Sequence, residues 1–162
     1  MIRSSLSTDS VDPVDDIRQK MGADWLPAIY EHKIRAGRTR SYHLDIPKKE
    51  NSPEIQHTLL GIELKVGRRR FACPDLATAR YLRVFARIGC RDVALPYDIT
   101  QISPIADELE TAWQRLLILA EKAEKAEFGA RSQCIKVMRS EIEKIGPGEP
   151  MPLFDRETKQ RA

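Results

Sequence analysis

The sequence has few cysteines and no long apolar segment. Its three cysteines, Cys73, Cys90 and Cys134, are widely spaced. They form neither a metal-binding pattern nor a paired disulfide framework, so we expect small buried side chains in a reducing compartment. No apolar run approaches the roughly 20 residues of a membrane-spanning helix. The N-terminal stretch MIRSSLSTDS also lacks the apolar core of a signal peptide. We therefore expect a cytoplasmic protein with no membrane partner.

Motifs that would mark several common sites are missing as well. Aromatic residues make up only 6% of the chain, and neither an aromatic-rich RNA-binding strand nor a zinc-finger spacing occurs. The segments GRRR and GPG lack the strand and helix that flank a phosphate-binding loop. His32, His43 and His57 have no ligand spacing and no serine or cysteine motif nearby. Charge is therefore the main functional signal that remains.

Positive charge is concentrated in the middle of the chain. The whole sequence has a net charge of only +3, yet residues 33–91 contain fourteen lysines and arginines and five acids. This segment therefore carries nine positive charges in excess, and the remainder carries an excess of six negative charges. A basic segment in a nearly neutral protein indicates a surface for phosphates or for an acidic partner.

Hydrophobic periodicity predicts an α+β fold. Asp12-Pro13 is a typical helix start, and Asp75 and Gly89 bracket a second, strongly amphipathic helix. Alternating apolar residues predict short strands between and after these helices. A further short helix is predicted over 27–35, and the predicted strands cover 41–46, 57–66, 70–73 and 93–97. We expect a small sheet of three to four strands with a packed helix and a long C-terminal helical extension.

The C-terminal extension begins at Ser103-Pro104 with a cap followed by proline. Its apolar residues recur in steps of four and three, which is typical of a coiled coil, and Gly129 is a candidate hinge. This stripe either pairs with a second copy of the chain through residues 104–145 or packs on the protein's own sheet. The expected organisation is a disordered tail (1–11), a basic α+β domain (12–103), a long helix or helical hairpin (104–146) and a flexible tail (147–162).

The stretch GIELKV, residues 61–66, carries a possible catalytic pair. Glu63 and Lys65 are two residues apart, so in a strand their side chains share a face. Enzymes that cut phosphodiesters hold Mg²⁺ with carboxylates, and a nearby lysine can orient the attacking water. The alternative is a polar strand that faces solvent.

The order of elements around this stretch resembles the PD-(D/E)xK nuclease superfamily. Glu63-Leu64-Lys65 matches the Glu-x-Lys of that family, TARYLRVFARIG matches its following helix, and DVALPY matches its next strand. The resemblance implies a Mg²⁺ cofactor held by Glu63 together with Glu54 or Asp45, and Lys65 as the catalytic residue. Pro53-Glu54 stands where the family has Pro-Asp.

Arginines form three groups that could bind phosphates. Arginine suits phosphate because its planar guanidinium donates two hydrogen bonds at once. The groups are Arg38 with Arg40, Arg68–Arg70 at a predicted hairpin turn, and Arg80, Arg83 and Arg87 on one helix face. We expect a protein that binds DNA or RNA, with metal-dependent cleavage as the stronger form of this hypothesis. The alternative is a non-catalytic adaptor whose basic face and paired helices meet an acidic protein partner.

Overall fold

The computed structural model describes residues 12–148, so the predicted tail at 1–11 and all but the first two residues of the predicted tail at 147–162 lie outside the described residues. The helices are α1 (Pro13–Met21), α2 (Leu26–Ile29), α3 (Leu76–Ile88), α4 (Ile102–Ala126) and α5 (Ala130–Ile145). The strands are β1 (Thr39–His43), β2 (Glu54–Thr58), β3 (Gly61–Val66), β4 (Arg69–Cys73) and β5 (Asp92–Pro96). The predicted α+β class with a long C-terminal helical extension is confirmed.

The N-terminal helices form where their caps and apolar spacing require. The Asp12 side chain accepts a hydrogen bond from the Val14 amide, which satisfies one of the free donors at the start of α1. Helix α2 continues into a single π-helical turn, Tyr30–Ile34, that ends at Arg35. These two segments together cover the helix that was predicted over 27–35. Both α1 and α2 bury their apolar side chains against α4 and α5.

The strands divide between two antiparallel sheets. Strands β1 and β5 form one pair, and β2, β3 and β4 form a meander with β3 in the centre. The single strand predicted over 57–66 is wrong, because the chain turns at Leu59-Leu60 and β2 already begins at Glu54. Two leucines are not a typical turn sequence, and both side chains are almost completely exposed at this hairpin tip.

Helix α3 lies at the centre of the core, as its amphipathic pattern predicts. The Asp75 side chain accepts a hydrogen bond from the Thr78 amide at its N-terminus, and Gly89 adopts a left-handed conformation at its C-terminus. The predicted apolar face is fully buried: Tyr81, Leu82, Val84, Phe85 and Ile88. This face packs against the meander on one side and against α4 on the other.

Helices α4 and α5 follow each other around Gly129, contact each other, and bury their apolar residues in the same core as α3. Of the predicted heptad stripe, Ile105, Leu109, Ala112 and Leu116 are buried, whereas Ala126 is exposed. Ala106, Trp113 and Ala120 are buried beside these residues and widen the stripe into a broad face that packs inside the molecule. The stripe therefore serves the protein's own core.

Candidate nucleic-acid interface

The meander has one face buried and one face open. Leu64 and Val66 of β3 are buried on the side that packs against α3, so Glu63 and Lys65 point to the opposite side. Glu54 of β2 is directly opposite Lys65, and Gln56 is directly opposite Glu63. Glu54 and Glu63 are therefore diagonal neighbours on the open face, a relation that separates backbone positions by about 7–8 Å.

The three predicted metal ligands do not all lie together. Asp45 forms salt bridges with Arg69 and Arg91, and Arg69 points to the other side of the sheet from Glu63. Within residues 12–148, no group of three or more His, Cys, Asp or Glu side chains is placed to hold a metal ion. The two carboxylates of Glu54 and Glu63 would be enough protein ligands for Mg²⁺, because this ion is often bound by one or two carboxylates and a substrate phosphate. Mg²⁺ and the catalytic role of Lys65 stay predictions.

A cleft of about 440 Å³ lies beside the β3–β4 turn and has a strongly basic lining. We call it the basic cleft; its polar lining residues are Asp45, Lys49, Asn51, Arg68, Arg69 and Arg91. The single carboxylate, Asp45, lies 2.8 Å from an Arg69 nitrogen and 3.2 Å from an Arg91 nitrogen. Four cations thus surround one acid. Pockets for drug-like ligands are mostly apolar, so this lining favours an anionic ligand.

Two contacts fix the loop that supplies Lys49. The Asn51 side chain donates hydrogen bonds to the carbonyls of Pro47, Lys49 and Ala86, which ties the loop to itself and to α3. The Lys49 backbone lies directly against Gly89. None of these contacts involves the Lys49 side chain, which is exposed while its backbone is held in place.

The basic cleft continues onto two neighbouring grooves that share Lys49. One is lined by Glu54 and Lys65 of the open sheet face, and the other by Lys136 and Arg139 of α5. Arg139 also donates to the Ile88 carbonyl at the C-terminus of α3. Across the three grooves, eight cations accompany three carboxylates, a greater excess of positive charge than in the whole chain. We call these cations the basic surface: Lys48, Lys49, Lys65, Arg68, Arg69, Arg91, Lys136 and Arg139.

The arginines predicted on α3 have acidic partners within the protein. Arg80 binds Asp107 and Glu110 of α4, and Arg83 binds the same Glu110. The hydrogen bond from Arg80 is the main reason that the pKa of Glu110 is lowered, with a smaller contribution from Arg83. Burial lowers the pKa of the Arg87 guanidinium, and its neighbour Arg83 adds to this effect. Arg80 and Arg83 therefore join α3 to α4, and their role in nucleic-acid binding stays a prediction.

The other predicted arginines lie in three places. Arg68 and Arg69 line the basic cleft. Arg70 is on the open sheet face, where it binds both Gln56 and Glu63. Arg38 lies over the Tyr97 ring at 4.2 Å, and Arg40 is in β1; neither lines the grooves that share Lys49. The predicted arginines thus do not form one continuous surface.

Several members of the basic surface carry no sequence motif that marks them as binding residues. Lys48 and Lys49 lie between two predicted strands, in the segment PKKENSP. Arg91, Lys136 and Arg139 come from the end of α3 and from α5, far from the hairpin turn in sequence. The cluster KK within a basic segment was an available signal for the two lysines, but no local pattern could bring α5 to this place.

Another groove lies along α4, outside this surface. It measures about 570 Å³ and is lined by Leu117, Ile118 and several charged residues, including Glu121 and Arg131. The groove lies within residues 104–145, the segment through which two copies of the chain were predicted to pair. This pairing stays a prediction. The cysteines are all free and buried, as expected. Burial raises the pKa of Cys90 to about 12, which keeps this thiol protonated and unreactive.

Comparisons with protein-family models, curated proteins and solved structures found no significant match. The resemblance to PD-(D/E)xK nucleases therefore rests on the sequence pattern alone. In the structure, Glu63 and Lys65 are on the central strand of the meander. In chain order, β4 follows this strand before α3 begins. None of the helices among residues 12–148 has both the length and the apolar content to cross a membrane.

Proposed function

We propose that this protein binds nucleic acid through the basic surface. The observation that carries the proposal is the convergence of four cations on the basic cleft around a single, already neutralised carboxylate. Arginine and lysine together bind phosphate oxygens, and a row of them follows the regular charge of a nucleic-acid backbone. The fixed loop of Lys49 supports this role, because side chains anchored on a rigid backbone lose less conformational freedom when they bind.

The experiment is an anisotropy titration with a labelled 20-base-pair duplex and the matching single strands, at several salt concentrations from 50 to 300 mM. Contacts with four to six phosphates correspond to a slope of about −4 to −5 in log Kobs against log salt for duplex DNA. An affinity that does not change with salt, or no affinity for any of these nucleic acids, would contradict the proposal. The latter result together with a defined complex with an acidic protein would favour the adaptor.

The same samples test the predicted nuclease. Glu54, Glu63 and Lys65 share the open sheet face, so this face is where cleavage would occur. Mg²⁺ bound there would polarise the scissile phosphate, and Lys65 would lie beside it on the same strand as Glu63. Cleavage that requires Mg²⁺ or Mn²⁺ and is lost in a Lys65→Ala variant would establish the enzyme. Binding without cleavage would leave the basic surface as a binding site alone.

A further inference from the structure

The open face of the meander carries hydrogen-bonding groups of both kinds. Side chains on this face alternate with those that pack against α3, and all of its polar members are exposed or half-buried. They are Glu54, Gln56 and Thr58 of β2, Glu63 and Lys65 of β3, and Arg70 of β4. Lysine and arginine donate, glutamate accepts, and glutamine and threonine do both. Ala72, opposite Glu63, is small and exposed, and it leaves room on the β4 side of the face.

The central side chains of this face are held in a defined arrangement. One Arg70 nitrogen is 3.0 Å from the side-chain amide oxygen (Oε1) of Gln56 and 3.1 Å from a Glu63 carboxylate oxygen. The three strands that carry them are joined by continuous antiparallel pairing. Side chains fixed in this way on a sheet can meet a ligand with little loss of entropy. Arginine, glutamine and glutamate are also the residues that recognise guanine, adenine and cytosine by their major-groove edges.

The open face adjoins the basic cleft at the β3–β4 turn. Glu54 and Lys65 line the groove that connects the two, next to Lys49 and Gly67. A nucleic acid whose phosphates lie on the basic cleft would therefore present its groove to the sheet. Phosphate contacts of this kind set the orientation of a duplex, and contacts to base edges then give specificity. Neighbouring strands lie about 4.8 Å apart, so two or three of them match a major groove about 12 Å wide.

The residues of the open face favour duplex DNA over other nucleic acids. Single strands are bound mainly by stacking of bases on aromatic side chains, and this face has none, since Phe71 points to the α3 side. The major groove of duplex RNA is too deep and narrow for a sheet to enter. We propose that the open sheet face reads base edges in the major groove of duplex DNA. This inference rests on the proposed nucleic-acid binding and specifies its ligand.

Two variants with the same change of charge test this placement. Ala72→Glu puts a carboxylate on the open face, whereas Ala23→Glu puts one on an exposed turn remote from it in the fold. Both are titrated against duplex DNA, duplex RNA and single-stranded DNA of one sequence. We expect duplex DNA to bind about tenfold more tightly than duplex RNA, and Ala72→Glu to weaken that binding about tenfold more than Ala23→Glu.

Equal effects of the two variants, or equal affinity for the three nucleic acids, would overturn the proposal while leaving nucleic-acid binding intact. Selection from a randomised duplex pool provides the second measurement. The wild-type protein should enrich a short motif, and Gln56→Ala should lose preference at one or two positions of that motif. Enrichment that is unchanged in Gln56→Ala, or no enrichment at all, would also overturn base reading.

Discussion

The backbone of Lys49 lies against Gly89, the residue that ends α3. A Cβ atom added at position 89 would stand 2.4 Å from the Lys49 carbonyl oxygen and 2.7 Å from its amide nitrogen. Gly89 also has a φ of +91°, which L side chains rarely adopt. The absence of a side chain at this position therefore lets the lysine loop approach the helix, and this approach places Lys49 in the basic cleft.

Gly89→Ala should destabilise the protein by about 2–4 kcal/mol, because backbone strain and a steric clash add. Gly129→Ala is the matched control, since its φ is +90° but an added Cβ would meet no atom within 4 Å. It should cost only the strain, about 1–2 kcal/mol. Urea unfolding of the two variants measures the difference. Equal losses would show that the contact with Lys49 is unimportant for stability.

Glu110→Gln should lower the free energy of unfolding at neutral pH by about 1–2 kcal/mol, because it removes a carboxylate shared by Arg80 and Arg83. Since the pKa of Glu110 is lowered in the folded state, its contribution is present at neutral pH and is lost as pH falls below about 4.5. The difference between wild type and variant should therefore shrink toward pH 3. Thermal unfolding between pH 3 and pH 7 tests this, and a constant difference would contradict the pairing.

Tyr30→Phe should destabilise the protein more than Tyr81→Phe. The buried Tyr30 hydroxyl donates to the Gly146 carbonyl and accepts from the Ala94 amide, whereas the Tyr81 hydroxyl donates only to the Ala94 carbonyl. Burial raises the pKa of Tyr30 to about 12, so the donor persists at neutral pH. We expect a loss of about 2–3 kcal/mol for Tyr30→Phe and about 1–2 kcal/mol for Tyr81→Phe in urea unfolding. The reverse order would count against this network.

Asp45→Asn should strengthen nucleic-acid binding about threefold to tenfold at low salt, because it removes the one carboxylate of the basic cleft and frees Arg69 and Arg91. Asp92 is an exposed acid on β5 that binds His43. The control variant Asp92→Asn removes the same charge at that position and should change affinity by less than about twofold. Weaker binding by Asp45→Asn would mean that the ordered position of the two arginines matters more than the added charge.

Much of the fold follows from local sequence signals. Asp75 and Gly89 bracket α3 in both the sequence and the structure, since capping and a left-handed end depend on neighbouring residues alone. The hairpin between β2 and β3 was missed because Leu59-Leu60 carries no turn signal. The division of the strands into two sheets depends on the pairing of β1 with β5, which are about 50 residues apart in sequence. No local sequence pattern predicts a pairing over that distance.

The candidate site was less predictable than the fold. The sequence correctly placed Glu63 and Lys65 on one face, because alternation in a strand is a local property. It could not show that Arg80 and Arg83 meet Glu110, or that Asp45 meets Arg69, because those pairs form only when distant elements pack together. For the same reason it assigned Arg80 and Arg83 to phosphate and overlooked Lys136 and Arg139 of α5.

We propose that nucleic acid binds at the basic surface and not through overall charge. The most direct measurement compares two double variants that change the net charge equally, Lys49→Glu/Arg68→Glu in the basic cleft and Lys122→Glu/Lys125→Glu on the exposed side of α4. Anisotropy titration of duplex DNA at 100 mM salt should show a loss of about 100-fold for the first and less than about fivefold for the second. Equal losses, or no binding by the wild-type protein, would contradict the claim.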